Sequence, residues 1–390
     1  MEFDRIIDRR GTNCAKWDAM EKLYGVSPED GISMWVADMD FQAPDFVLEA
    51  GKKLLDHGVL GYQGVFTDYH NAICWWMQNR HGWTVKPEQV FSTYGLVNAV
   101  ALNLQAFTDP GDGIIVFTPV YHAFAKIIKA GDRQVVEMPM RQEAGQYYMD
   151  FPAYDDMLTG NEKMVILCSP HNPGGRVWTQ AELAEVAAFC ERHDLLLVSD
   201  EIHHDLVFGD NKHLPMPLAV PGIENRLITL TAPSKTFNIA GNHLGNVIIS
   251  DPVLHARFDK VMKGLGIATT VMGTEMTTAA YSPDGAVWVD KLVAYLDRNR
   301  KTFDAGVNAI PGLKSMELQS TYLAWVDFSG TGMEEAEFTK RVAEVAKIAA
   351  NYGSTFGTGG ESFMRFNLGC PHSVVEDAVA RLQKAFGDLQ

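Results

Sequence analysis

Residues 227–238 read Leu227-Ile228-Thr229-Leu230-Thr231-Ala232-Pro233-Ser234-Lys235-Thr236-Phe237-Asn238. Leu227 to Leu230 is a short, nearly continuous apolar run, the pattern of a strand buried on both faces. It leads into an apolar, Gly-poor loop that carries one cation, Lys235. Burying an ammonium is costly, so its pKa falls and the amine becomes a nucleophile. A solvent-exposed loop lysine fits the same residues equally well, so the surrounding sequence decides.

Working outward, similar apolar runs occur at Ile114–Phe117, Met164–Cys168, Leu195–Ser199 and Asn246–Ile249. Helical patterns separate them. Leu96–Phe107 has helical spacing, and Thr179 with Glu182 forms a capping box ahead of Leu183–His193. Strands alternating with helices from about Trp75 onward predict an α/β fold with a mostly parallel central sheet flanked by helices. After Gly285 the pattern changes to a helix over Val287–Val307, a strand over Tyr322–Asp327, a helix over Glu334–Ala349 and a strand over Phe363–Leu368. That predicts a smaller α+β domain. Near the start, Glu49–Leu60 reads as a helix, and the first 45 residues read as an irregular arm. The expected division is residues 1–46 as the arm and part of the small domain, 47–285 as the large domain, and 286–390 as the C-terminal small domain.

Composition narrows the function. A chain of 390 residues with 46% hydrophobic residues builds its cores without disulfide or metal staples. A formal net charge of −16 argues against a nucleic-acid partner and against an anionic membrane surface. The five cysteines are scattered, odd in number and never in C-x-x-C spacing, as in a reducing compartment. Met1–Arg10 lacks the apolar core of a signal peptide, and no stretch is apolar for long enough to span a bilayer. The expected location is the cytoplasm.

Polar residues then cluster at the predicted strand ends, where α/β folds bind ligands. Asp200 closes the run Leu195–Ser199; opposite a pyridine nitrogen it would keep that nitrogen protonated. Asn172 lies in Ser169-Pro170-His171-Asn172-Pro173-Gly174-Gly175-Arg176, a turn that does not itself need the asparagine. Its amide suits a phenolate oxygen. Gly95 precedes Leu96–Phe107, and free N–H groups at a helix start suit a phosphate. Tyr121 follows Thr118-Pro119-Val120 and can stack on a flat ring, or simply sit in the core. Arg365, among Phe363, Met364 and Phe366, needs a fixed anion: a substrate carboxylate or an internal salt bridge. His203-His204 raises a metal site, but neighbours on a strand point to opposite faces, so no metal is expected.

On the segments His171–Arg176, Ser199-Asp200-Glu201-Ile202-His203 and Ser234–Asn238, in that order, the sequence resembles fold-type I pyridoxal-phosphate enzymes, the aspartate aminotransferase superfamily. Asp8-Arg9-Arg10-Gly11-Thr12, Lys16-Trp17-Asp18, Met34-Trp35-Val36-Ala37-Asp38-Met39-Asp40-Phe41 and Arg365–Pro371 are similar to the cystathionine β-lyase and cysteine-S-conjugate β-lyase branch (the MalY/PatB type). The resemblance implies pyridoxal 5'-phosphate held by Lys235 as a Schiff base. It implies Asp200 at the ring nitrogen, Asn172 at the ring oxygen, Tyr121 stacked on the ring, and His203 beside the cofactor. Gly95, Leu96 and Ser234 would bind the phosphate. Arg365 would bind the substrate carboxylate, with Trp35 and Ala37 also facing the substrate. Tyr62 would reach the phosphate of a second subunit, implying a homodimer. His243 stands where aminotransferases often place a phosphate-binding arginine.

The expected reaction is carbon–sulfur β-elimination of cystathionine or a related cysteine S-conjugate, giving pyruvate, ammonia and a thiol. Two alternatives stand beside it. One is transamination between an amino acid and a 2-oxo acid. The other is a regulatory protein that binds a transcription factor through protein contact.

Overall fold

In a computed structural model the chain is described over residues 3–389; Met1, Glu2 and Gln390, the ends of the expected arm and small domain, lie outside that range. A seven-stranded sheet runs in the spatial order Val90–Thr93, Gly245–Ile248, Leu227–Thr231, Leu196–Asp200, Glu162–Cys168, Gly113–Thr118, Gln134–Pro139. Only Gly245–Ile248 runs antiparallel to its neighbours. The central strands carry apolar residues on both faces because helices cover both. Ile166, Val198 and Ile228 pair across adjacent strands and are fully buried.

Two strands of this sheet went unforeseen. Gln134–Pro139 lies at the sheet edge and is only partly buried, so its Gln and Glu mask the apolar signal. Val90–Thr93 closes the other edge. The capping box forms as expected, with Thr179 Oγ1 accepting from the Glu182 N–H at 3.3 Å and Glu182 Oε2 accepting from the Thr179 N–H at 2.8 Å. The first long helix spans Asp45–His57 rather than starting at Glu49. Gly58, at φ +75, ends it with a bond from its N–H to the Leu54 carbonyl.

A second, antiparallel sheet orders Lys314–Ser315, Leu323–Asp327, Phe363–Asn367 and Asn351–Tyr352. Helices Pro283–Asn308 and His372–Ala385 share a buried core with it through Leu292, Phe303 and Leu382. The helix expected over Glu334–Ala349 is shorter. It runs as α-helix over Glu335–Lys340, loosens to π over Arg341–Val345, and stops. Lys347 takes φ +55, and Ile348–Ala349 pairs in parallel with Ile32–Ser33 of the N-terminal arm. The buried Ile348 and Ala349 continue the apolar pattern of the helix, so their switch to a strand leaves no local signal. The arm therefore lies against the C-terminal sheet.

The chain leaves Gly113–Thr118 toward Gln134–Pro139 on one side. From Glu162–Cys168 it steps the other way, to Leu196–Asp200 and Leu227–Thr231. This split opens a crevice at the C-terminal strand ends. No helix among the described residues is long and apolar enough to cross a membrane.

Candidate active site

Lys235 lies in a single helical turn, Pro233–Thr236, rather than in the open loop expected; Pro233 at the second residue after the strand favours that turn. Its Nζ donates to the Ala37 carbonyl at 2.6 Å, which also accepts from the Tyr322 hydroxyl at 2.9 Å. Burial lowers its pKa to about 8; Asp38 and Asp200 oppose that shift and Arg365 adds to it.

The Ala37 carbonyl comes from the arm, and an ion network holds the arm in place. Buried Lys16 donates to Asp40 Oδ2 at 2.7 Å, and Arg9 bridges Asp38 and Asp40 at 2.8 and 2.7 Å. Asn238 ties this segment to the lysine turn. Its Nδ2 donates to the Met39 and Phe41 carbonyls at 2.8 and 2.7 Å, and its Oδ1 accepts from the Met39 N–H at 2.9 Å. The φ of +56 at Asn238 is one that asparagine tolerates better than most residues. Sequence reasoning quoted Asn238 only as part of a motif. The signal for its role was a polar residue with local turn propensity beside the lysine.

Asp200 ends its strand, 5% exposed, and its carboxylate bonds only to the Ile202 N–H among the described residues. Burial raises its pKa to about 7. A buried acid with so few donors is costly unless a cation or an N–H arrives. His203 is buried, its Nδ1 has no partner among the described residues, and its pKa falls well below the usual value through burial and the nearby Lys235 and Arg365. Asn172 accepts at Oδ1 from Arg365 Nη1 at 3.0 Å, which leaves its amide N–H groups as donors. Tyr121 is half-buried, its ring 5.1 Å from that of His122.

Arg365, 2% exposed, forms no ion pair among the described residues, so the internal salt bridge is absent there. It is held by neutral acceptors instead: the Trp35 carbonyl at 2.8 Å, Asn351 Oδ1 at 2.6 Å and Asn172. Burial lowers its pKa to about 10. Trp35 and Ala37 share a cleft with Tyr121, Lys235 and Arg365. Sequence reasoning missed Asn351 and Tyr322, which reach the site from the second sheet.

Gly95, at φ +82, opens helix Leu96–Phe107 just past the C-terminal end of Val90–Thr93, and a Cβ there would meet nothing within 4 Å. The helix's first N–H groups have no intrahelical acceptor. Ser234 is half-buried beside Lys235. His243 is exposed at φ +47. Tyr62 lies away from this pocket, fully exposed beside exposed Val59, Leu60 and Val65.

His203 and His204 do not lie on a strand; they occupy a turn after it. His203 sits near Lys235 and Arg365, whereas His204 stands beside His81, Asp205, Glu201 and His213. Groups with metal-ligating atoms converge on His204 but not on His203, so the two neighbours do not share one such group. The converging groups are engaged with one another: His213 bonds Glu201 at 2.8 Å, and Asp205 accepts from His81, Trp76 and Thr236.

A nucleophilic lysine, a buried acid short of donors, an amide donor and a helix start lie at the C-terminal ends of strands of the large sheet, and a guanidinium without an acid reaches them from the second sheet. These are the groups an enzyme needs to bind an anionic aromatic cofactor and a carboxylate substrate. The sequence matches the Aminotransferase class I and II family over residues 29–382, and the chain belongs to that family. It is 38% identical to cystathionine beta-lyase PatB of Bacillus subtilis (strain 168), over 99% of this chain and all of that protein. Cystalysin from Treponema denticola, which contains a pyridoxal 5'-phosphate cofactor, superposes with a TM-score of 0.94 at 35% identity, covering 100% and 99% of the two chains. A PLP-bound C-S lyase from Staphylococcus hominis superposes with a TM-score of 0.91 at 30% identity, over 99% of this chain and 98% of that one. The fold is the fold-type I arrangement expected from the sequence.

Proposed function

We propose that the chain is a pyridoxal 5'-phosphate-dependent carbon–sulfur β-lyase that converts cystathionine or a related cysteine S-conjugate to pyruvate, ammonia and a thiol. The observation that carries this reading is Lys235, its pKa brought down to about 8, between a buried acid and a buried guanidinium, in a chain similar to PatB along its whole length. The residues present fit the cofactor: among the described residues Asp200 has only the Ile202 N–H as donor, and the His203 Nδ1 has no partner.

Bound there, pyridoxal phosphate supplies a conjugated ring that accepts the electron pair left when a proton departs from Cα. Lys235 would hold the cofactor's carbonyl carbon through Nζ until the substrate's amine displaced it, and the freed Nζ would then take the Cα proton. Asp200 would keep the ring nitrogen protonated, and Asn172 would donate to the ring oxygen. Tyr121 and His203 would flank the ring. Gly95, Leu96 and Ser234 would take the phosphate. Arg365 binds the substrate carboxylate, while Trp35 and Ala37 bound the space above Lys235. Tyr62 completes the phosphate site of a second subunit in a homodimer, a role suited to its full exposure. We place the enzyme in the cytoplasm, on the five unpaired cysteines. The division into residues 1–46, 47–285 and 286–390 remains our reading of its domains.

The test supplies L-cystathionine alone to the holoenzyme and measures pyruvate and thiol. Both should form. Turnover that requires a 2-oxo acid and yields a new amino acid would overturn the lyase reading in favour of transamination.

A further inference from the structure

The site opens into a cleft of about 460 Å³. The chain carries a formal charge of −16, yet no Asp or Glu lines this cleft. Three cations do: Lys235, Arg365 and Lys126. Lys235 and Arg365 have work in the proposed reaction. Lys126 has none, and it makes no ion pair among the described residues.

Lys126 follows His122 by one helical turn, and its N–H donates to the His122 carbonyl at 3.3 Å, so the two side chains share one helix face. Phe124 and Ile128, on the opposite side of the helix, are buried and fix which face meets the cleft. His122 offers a second unused group. Its Nδ1 is buried without a partner among the described residues, and its Nε2 is neither buried nor hydrogen-bonded there, so Nε2 is the ring nitrogen open to a ligand in the cleft. Burial, with Arg365 and Lys126 nearby, lowers its pKa to about 4, so its ring is neutral at physiological pH and can donate or accept.

Both residues line the cleft that Lys235 and Arg365 share, within the space open to a second anionic group of the substrate. We propose that His122 and Lys126 form a distal subsite that selects cysteine S-conjugates whose sulfur-linked substituent ends in a carboxylate. This rests on the lyase reading and names the substrate class of that same site. A cation at a solvent-open rim contributes modestly, about two- to fivefold in preference.

The experiment uses the holoenzyme and two compounds of nearly equal length, S-(2-carboxyethyl)-L-cysteine and S-propyl-L-cysteine. Two readouts are taken: the rate of pyruvate release, and binding followed by the change in cofactor absorbance. The measured quantity is the ratio between the compounds, so a general loss of activity in a variant cancels. In Lys126→Gln the ratio should fall about two- to fivefold against the carboxylate, mostly through KM, and in Lys126→Glu further still. An unchanged ratio in both variants overturns the subsite. Should neither compound release pyruvate while the binding ratio still falls in Lys126→Gln, the lyase reading fails and the subsite stands. If neither compound alters the absorbance, both fail.

Discussion

The lowered pKa of Lys235 makes a quantitative prediction for how the protein captures its cofactor. Only the neutral amine attacks a carbonyl carbon. With a pKa of about 8, roughly one lysine in ten is neutral at pH 7, against about three in ten thousand at the ordinary 10.5. Burial therefore raises the reactive fraction about 300-fold at neutral pH. The perturbation is pH itself. Cofactor is stripped from the protein and added back between about pH 6 and about pH 10, and the visible absorbance of the lysine-linked cofactor is followed in a stopped-flow instrument. Raising pH removes the proton, so the rate should climb about tenfold per unit and level off near pH 8. A rate that keeps climbing toward pH 10.5 would refute the reasoning, because Lys235 would then behave as a solvated amine.

Three further outcomes are expected. Asp200 has a folded pKa raised from 3.8 to about 7, so the stability it gives is complete below pH 3.8 and lost as pH rises through 7. In cofactor-free protein Asp200→Asn should resist urea better above pH 7, by up to about 4 kcal/mol, with no difference near pH 4; the holoenzyme variant should lose at least about a hundredfold in pyruvate formation. Asn238→Ala removes three bonds to the arm and leaves alanine at φ +56, which together should cost about 3–4 kcal/mol and show as a lower melting temperature. Arg365→Ala should raise KM by about thirtyfold or more, about 2 kcal/mol upward for a buried carboxylate pair, with a smaller effect on kcat.

The parts of the site legible in the sequence were those fixed by strand ends. Lys235, Asp200, Asn172 and Tyr121 each follow an apolar run, and such runs become central strands whose C-terminal ends converge. Contacts made across hundreds of residues left no such trace. That the Ala37 carbonyl would accept from Lys235, 198 residues on, depends on how the arm closes over the sheet. The partners of Arg365 were hidden for the same reason. Its position between apolar neighbours pointed to an anion, but not to the Asn351 amide and the Trp35 carbonyl that hold it while leaving its charge uncompensated. The pairing of Ile348–Ala349 with the arm was lost because its residues extend a helical apolar pattern, and only the left-handed turn at Lys347 breaks it.

Lys235, Asp200 and Arg365 share one electrostatic condition. Burial moves each pKa toward the neutral form: Lys235 to about 8, Asp200 to about 7, Arg365 to about 10. An arrangement built for stability would pair these groups with one another, yet none forms an ion pair with another. In the proposed reaction each is instead complementary to a group on the ligands: a carbonyl carbon, a protonated ring nitrogen, a carboxylate. The folded chain thus carries an electrostatic cost that binding relieves, and this couples cofactor affinity to stability. Removing cofactor should lower the urea midpoint, and the drop should be smaller in Asp200→Asn, where the largest single penalty is already gone. An equal drop in both proteins would mean that the carboxylate is stabilised by something other than the ring nitrogen, and Asp200 would lose its assigned role.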